Sequence, residues 1–144
     1  MQTSIRKMRS GDLEAIYKLN KNDLGYDYDI KEMKKAWDII SDNKQNIVLV
    51  ALDCEEVIGY IHVGRYELLC QKPMASIFTL AVSSSYQQQG IGKKLIEAAE
   101  KWAKKNDCAG VRVLSNEKRE QAHLFYKSCG YNKTKVQINF KKYF

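Results

Sequence analysis

The sequence holds one proline, two histidines and two tryptophans in 144 residues, and no apolar run approaches the ~20 residues that cross a bilayer. Each shortage excludes something. A single proline with 44% apolar residues argues against a long linker or a disordered arm. His62 and His123 stand far apart without acidic partners at ligand spacing, and Cys54, Cys70, Cys108 and Cys129 form no C-x-x-C pair, so no metal is expected. No cysteine stands with a histidine as an activated nucleophile would, and the thiols are expected to be free and mostly buried. The first nine residues lack an apolar signal core, so a cytoplasmic location and no membrane partner are expected. The length suits one domain over residues 1–144, large enough to bury roughly two thirds of its unfolded surface.

Lysine and arginine number 24 against 17 acidic residues, a net charge of +7. That excess suits a polyanion. The lysines are nevertheless spread at solvent-facing spacings and form no stripe interleaved with aromatics, so nucleic acid is not the expected partner; a ligand with several phosphates would use part of the field.

Ile5 to Met8 reads as a short strand, with Ser10 as N-cap of a helix whose face is Leu13, Ile16, Tyr17 and Leu19. An acidic, aromatic loop follows, holding Asp23, Tyr26, Asp27 and Tyr28. Asp29, with Glu32 three residues on, caps a second helix that buries Met33, Ala36, Trp37 and Ile40. Ile47 to Leu52 and Val57 to Glu67 read as a hairpin, and Tyr66 to Met74, with Pro73, as irregular. Ala75 to Val82 is the central strand, so apolar that both faces must be covered. A helix runs from Gly90 to Lys105 with Asn106 as a left-handed cap, then a strand over Val111 to Leu114 and a helix from Glu117 to Cys129 stopped by Gly130. Val136, Ile138 and Phe140 alternate with Gln137, Asn139 and Lys141 as a last strand, an edge through which a homodimer can form. The sum is an α/β fold, a mixed sheet of six or seven strands flanked by about four helices.

The informative joint is Gln87, Gln88, Gln89, Gly90, Ile91, Gly92 and Lys93, between the central strand and the next helix. Inside a helix each glycine would cost ~1 kcal/mol relative to alanine. At a helix mouth they let the backbone turn and approach a ligand, while the unpaired N–H groups of the first turn face an anion. The mononucleotide P-loop is excluded because Gln87 stands where its first glycine belongs. The dinucleotide fingerprint fails at Leu95, where it needs a third glycine.

Gln87, Gly90 and Gly92 do match Gln-x-x-Gly-x-Gly, and with strand before and helix after, the segment resembles the acetyl-CoA loop of the GNAT superfamily of N-acetyltransferases. Val111 to Asn116, Arg119, Ala122, Phe125, Tyr126, Gly130 and Tyr131 resemble the family's next strand, its helix with a Phe-Tyr pair, and its Gly-aromatic stop. The resemblance implies acetyl-CoA as cosubstrate, its phosphates at Gln87 to Lys93 and its pantetheine along Leu80, Ala81 and Val82, whose backbone would also stabilise the oxyanion. It implies that Tyr126 protonates the leaving thiolate, with core packing as the bland reading, and that Asn116, otherwise only a helix cap, meets the CoA arm. Arg119 is either a phosphate contact or a surface charge.

An alkyl ammonium with a pKa of about 10.4 must lose its proton before it attacks, at about 4–5 kcal/mol at pH 7. The central strand lacks the glutamate that several family members carry. Glu67 is the substitute, acting through water, and otherwise a solvated loop carboxylate; His62 reads more readily as a core histidine. Asp23, Tyr26 and Tyr28 suit a cationic acceptor, or are a solvent loop. The function expected is acetyl transfer to a primary amine of a small molecule or peptide by direct attack in a ternary complex. The alternatives are a non-catalytic acyl-CoA-binding regulatory module on the same fold and, through the basic surface, an RNA-directed enzyme.

Overall fold

The computed structural model describes residues 2–144. The chain divides into two compact units, one ending at Val113 and the other Leu114–Phe144. In the first, β1 (Thr3–Lys7) leads through a 3-10 turn to α1 (Leu13–Leu19), a π-helical turn over Asn20–Leu24, and α2 (Ile30–Asp42). Then come β2 (Asn46–Asp53), β3 (Glu56–Leu68), β4 (Gln71–Val82), α3 (Ile91–Lys105) and β5 (Val111–Val113). The five strands lie in sequence order, antiparallel up to β4, with β5 parallel to β4.

Alternation along the strands sends side chains to two covered faces. Val48, Val50, Leu52, Tyr60 and Ala81 cluster with Ile16 and Leu19 of α1 and Met33 of α2, and Trp37 and Ile40 close the edge. On the other face α3 packs with Ile91, Leu95, Ile96, Ala99 and Ala103 buried, the stripe that helical spacing predicts. Gly59 of β3 is required here: a Cβ would sit 2.9 Å from the Ala81 carbonyl oxygen and 3.4 Å from Leu95.

Several expectations are corrected. Asp12, not Ser10, caps the first turn, accepting the Arg9 N–H at 2.8 Å and gripping the Arg6 guanidinium at 2.8 and 3.0 Å. Those bonds hold the Asp12 carboxyl below its usual range. Residues 66–74 are not irregular, because β3 and β4 continue past Pro73; a register shift between Tyr66 and Leu68 absorbs the residue that lacks an N–H. The left-handed residue after α3 is Asp107 (φ 58), not Asn106. No disulfide joins the four cysteines among the described residues, and against expectation none is buried; Cys54 and Cys70 are exposed in hairpin turns.

The second unit contains α4 (Glu120–Ser128), shorter than expected, ended by Gly130 at φ 92. The expected strand over Val136, Ile138 and Phe140 is absent, so the sheet has five strands rather than six or seven. Alternation gives a segment strand character, but a strand forms only against a partner.

Candidate active site

β4 outruns its neighbour. β5 pairs with it only from Ala75 to Ile77, so from Phe78 to Val82 its β5-facing backbone has no strand partner among the described residues. The divergence coincides with a bulge: His62 opposes Thr79 and Val63 opposes Ile77, which leaves Phe78 as the extra residue. Leu80, Ala81 and Val82 thus line an open parallel edge of the length that an extended ligand arm can use.

The chain then turns through Ser84–Tyr86 into the α3 mouth. Three bonds pin this loop: Ser84 N–H to Asp23 Oδ1 at 2.8 Å, Tyr86 O–H to Asp53 Oδ2 at 3.0 Å, and the Gln87 amide to the Val82 carbonyl at 3.3 Å. Gln89 donates to the Ser85 carbonyl at 3.4 Å. Gln88 (φ 62) and Gly90 (φ 81) are left-handed, and a Cβ on Gly90 would meet nothing within 4 Å, so the mouth is open. The first helical bond runs from Lys94 N–H to the Gly90 carbonyl at 3.1 Å. The N–H groups of Ile91, Gly92 and Lys93 precede it and lack an intrahelical acceptor.

No carboxylate occupies the first turn of α3; Lys93 and Lys94 do, against the preference of a helix N-terminus. An anion at the mouth reconciles them with the dipole. The residues present therefore fit the phosphates of CoA, and the open β4 edge fits its extended arm.

On the sheet face covered by α1, Tyr60 donates to the Asn20 side chain at the start of the π-helical turn. Burial raises the Tyr60 pKa to about 12, against the lowering effect of bonds to Thr79 and Asn20. Gly25, at φ 76, ends that turn, and Tyr26 N–H closes it on the Asn20 carbonyl at 2.8 Å. Asp23 is tied to Ser84, Asp27 accepts the Tyr17 hydroxyl at 2.7 Å, and Tyr26 and Tyr28 stay exposed. The Asp23–Ser84 bond thus joins the acidic loop to the α3 approach. Sequence reasoning missed the Tyr60–Asn20 and Asp23–Ser84 links, because nothing local marks contacts between residues 40 and 61 positions apart.

Glu67 falls elsewhere. In the β3–β4 register Leu80 opposes Ile61, and Glu67 lies six residues farther along β3, about 20 Å away at ~3.3 Å per residue. There it pairs with Arg65 at 3.6 Å, so the register does not bring Glu67 to the Leu80–Val82 edge. His62 is a satisfied core histidine. The Asn46 amide nitrogen donates to the Ile40 and Asn43 carbonyls, so its oxygen accepts from His62 Nε2 at 2.7 Å, and burial lowers the imidazole pKa.

In the second unit, Asn116 precedes α4 by one turn. Its side chain accepts the Lys118 N–H at 2.9 Å, and its carbonyl accepts the Arg119 N–H at 3.0 Å and His123 Nε2 at 2.8 Å. Arg119 stands in the N-cap position. Tyr126 packs edge-on against Phe125 at 5.3 Å and beside Tyr131 at 6.3 Å. Burial raises its pKa, partly offset by Arg119, so the hydroxyl keeps its proton at neutral pH.

Residues 13–131 match the Acetyltransferase (GNAT) family. The chain belongs to that family. It is an acetyl-CoA-dependent N-acetyltransferase. No curated relative matches the sequence. Among solved structures, a protein from Bacillus halodurans C-125 described as a transcriptional regulator aligns with a TM-score of 0.88 at 24% identity, over 98% of this chain and 100% of its own. AAC(6')-Iy with a bisubstrate analogue gives 0.88 at 20% over 99% of each chain. Glucosamine-6-phosphate N-acetyltransferase from Arabidopsis thaliana gives 0.82 at 19%, over 100% of this chain and 99% of its own. At these identities the likeness establishes the fold. Among the described residues no group of three His, Cys, Asp or Glu side chains could hold a metal, and no helix is long and apolar enough to cross a membrane.

Proposed function

We propose that the protein transfers an acetyl group from acetyl-CoA to a primary amine of a small cationic molecule or peptide, by direct attack in a ternary complex. One N-acetyltransferase domain spans residues 1–144, a reading supported by a family match that crosses the boundary at Val113. The observation that carries the proposal is the α3 mouth, with Gly90 left-handed and Lys93 and Lys94 in the first turn, directly after the open β4 edge.

In this reading the backbone from Gln87 to Lys93 holds the phosphates, and Leu80, Ala81 and Val82 bond the arm as a neighbouring strand would. Asn116 and Arg119 contact the CoA, and the half-buried, protonated Tyr126 hydroxyl gives its proton to the departing thiolate. Asp23, Tyr26 and Tyr28 receive the acceptor. A cationic acceptor is supported by the carboxylates and exposed tyrosine faces of their loop, and by neighbours of the same fold described as aminoglycoside acetyltransferases. Four cysteines outside any disulfide suit a reducing cytoplasm.

The test is titration calorimetry with acetyl-CoA, then thiol release over a panel of polyamines, aminoglycosides and peptides. CoA release that depends on one amine class names the acceptor. Binding without turnover across the panel would refute these amine classes as acceptors, and absence of binding would refute the phosphate and arm assignments.

A further inference from the structure

Three features of the sheet converge on one side chain. Phe78 is the extra residue of the β4 bulge, and bulges re-aim side chains at the expense of ladder bonds. Gly64 stands inside β3, where glycine weakens a strand; a Cβ there would lie 2.6 Å from Phe78 Cε2 and 3.0 Å from Cζ, so the position makes room for the ring. His62 meets the same ring at 5.0 Å and 65°, and is itself held by Asn46 at 2.7 Å. Phe78 nevertheless stays 58% exposed. Fixing a side chain while half its surface stays wet costs entropy that burial does not offset. A ring held in this way is organised in advance for another molecule.

Its place in the fold says which one. Phe78 is the first residue of β4 beyond the stretch paired with β5, and Leu80 follows about 7 Å along the strand. Thr79, opposite His62, bonds the Tyr60 hydroxyl on the face that α1 covers. Tyr26 lies near enough to that hydroxyl to oppose its ionisation, and Asp23 ties the same loop to Ser84. The ring and the acidic loop therefore lie on one face of the sheet, to either side of the Leu80–Val82 edge.

We infer that Phe78 is the apolar wall of the acceptor site, and that the reacting amine is carried on an alkyl or aryl-alkyl body rather than on a hydroxylated sugar ring. The inference rests on the acetyl-transfer reading of the open β4 edge. An acyl carbon delivered to that edge brings the attacking nitrogen there, and the carbons next to the nitrogen then come within reach of the ring. The ring offers no hydrogen bond, and His62 Nε2 already serves Asn46, so hydroxyl groups laid on this wall would lose water without gaining a partner. Methylene and aryl groups gain from the same contact.

The test uses the full chain and straight-chain primary amines from propylamine to heptylamine, whose ammonium groups all titrate near the lysine value of about 10.4. Thiol release is expected to give a kcat/KM that rises roughly twofold to fourfold per methylene, with 2-phenylethylamine above kanamycin. Phe78→Ala and Phe78→Gln are expected to flatten that dependence and Phe78→Leu to keep most of it, while calorimetry shows acetyl-CoA affinity unchanged and thermal melts confirm folding. A wild type indifferent to chain length, or one that prefers kanamycin, overturns the inference and leaves acetyl transfer standing. So does a length dependence that survives in either folded polar or truncated variant. Acetyl-CoA bound but turned over with no amine of either kind refutes the acetyl-transfer reading for these acceptors, and the inference with it.

Discussion

Gly90 allows the anion mouth to be tested by separating backbone strain from charge. At φ 81 any other residue is strained, but a Cβ there would meet nothing within 4 Å, so Gly90→Ala adds no clash. The left-handed conformation costs a non-glycine residue about 1–2 kcal/mol, which should appear as lost stability. Because the backbone donors of Ile91, Gly92 and Lys93 remain, acetyl-CoA binding should weaken by no more than a few-fold. Gly90→Glu carries the same strain and adds a carboxylate at the mouth. At roughly 6 Å from a phosphate charge, in an effective dielectric of ~20, the repulsion is about 3 kcal/mol. That corresponds to a ~100-fold rise in the dissociation constant beyond the alanine variant. Calorimetric titration of the three proteins, with thermal melts to confirm folding, measures both terms. Equal affinity in all three would refute the phosphate assignment. An alanine variant as weak as the glutamate one would mean that loop conformation, not charge, governs binding.

Tyr126→Phe should lower acetyl transfer by ~10²–10⁴-fold while leaving acetyl-CoA affinity within about twofold; full activity in the variant would remove the acid role. If the acceptor amine must lose its proton before it attacks, kcat/KM for an alkylamine should rise about tenfold per pH unit between pH 6.5 and 8.5 as the ammonium, with a pKa of about 10.4, deprotonates. Burial raises the Tyr126 pKa, so the falling limb should lie above the ordinary value of ~10, and a decline beginning at pH 8 would contradict the assignment. Asp12→Asn should cost about 1.5–3 kcal/mol in urea unfolding at pH 7, because Asp12 accepts from Arg6 and the Arg9 N–H. The folded Asp12 pKa is depressed, so its ionic contribution is complete above the unfolded value of ~3.9 and lost as pH falls through the lower folded value. The gap between wild type and variant should therefore narrow on acidification; an equal gap at pH 7 and pH 3 would show that charge is not its source.

The sequence by itself determined the features whose physical causes are local. The α3 stripe of Ile91, Leu95, Ile96, Ala99 and Ala103 follows from helical spacing, and its mouth from two glycines that a helix interior would reject. Asp29 capping α2 and Gly130 stopping the chain after α4 rest on bonds and dihedrals within a few residues, so both were legible. Tertiary structure alone decided what depends on a partner. Period two says that a segment has two faces, not which strand lies beside it or in what register. Hence only the β3–β4 pairing shows how far along the hairpin Glu67 lies from Leu80, and the bulge at Phe78 appears only where His62 meets Thr79. Tyr60 reaching Asn20 and Asp23 reaching Ser84 are side-chain contacts across the fold that no neighbouring residue announces. Val136, Ile138 and Phe140 make the same point in reverse: their alternation is plain in the sequence, but a strand's stability lies in hydrogen bonds to a neighbour, and among the described residues they join no strand.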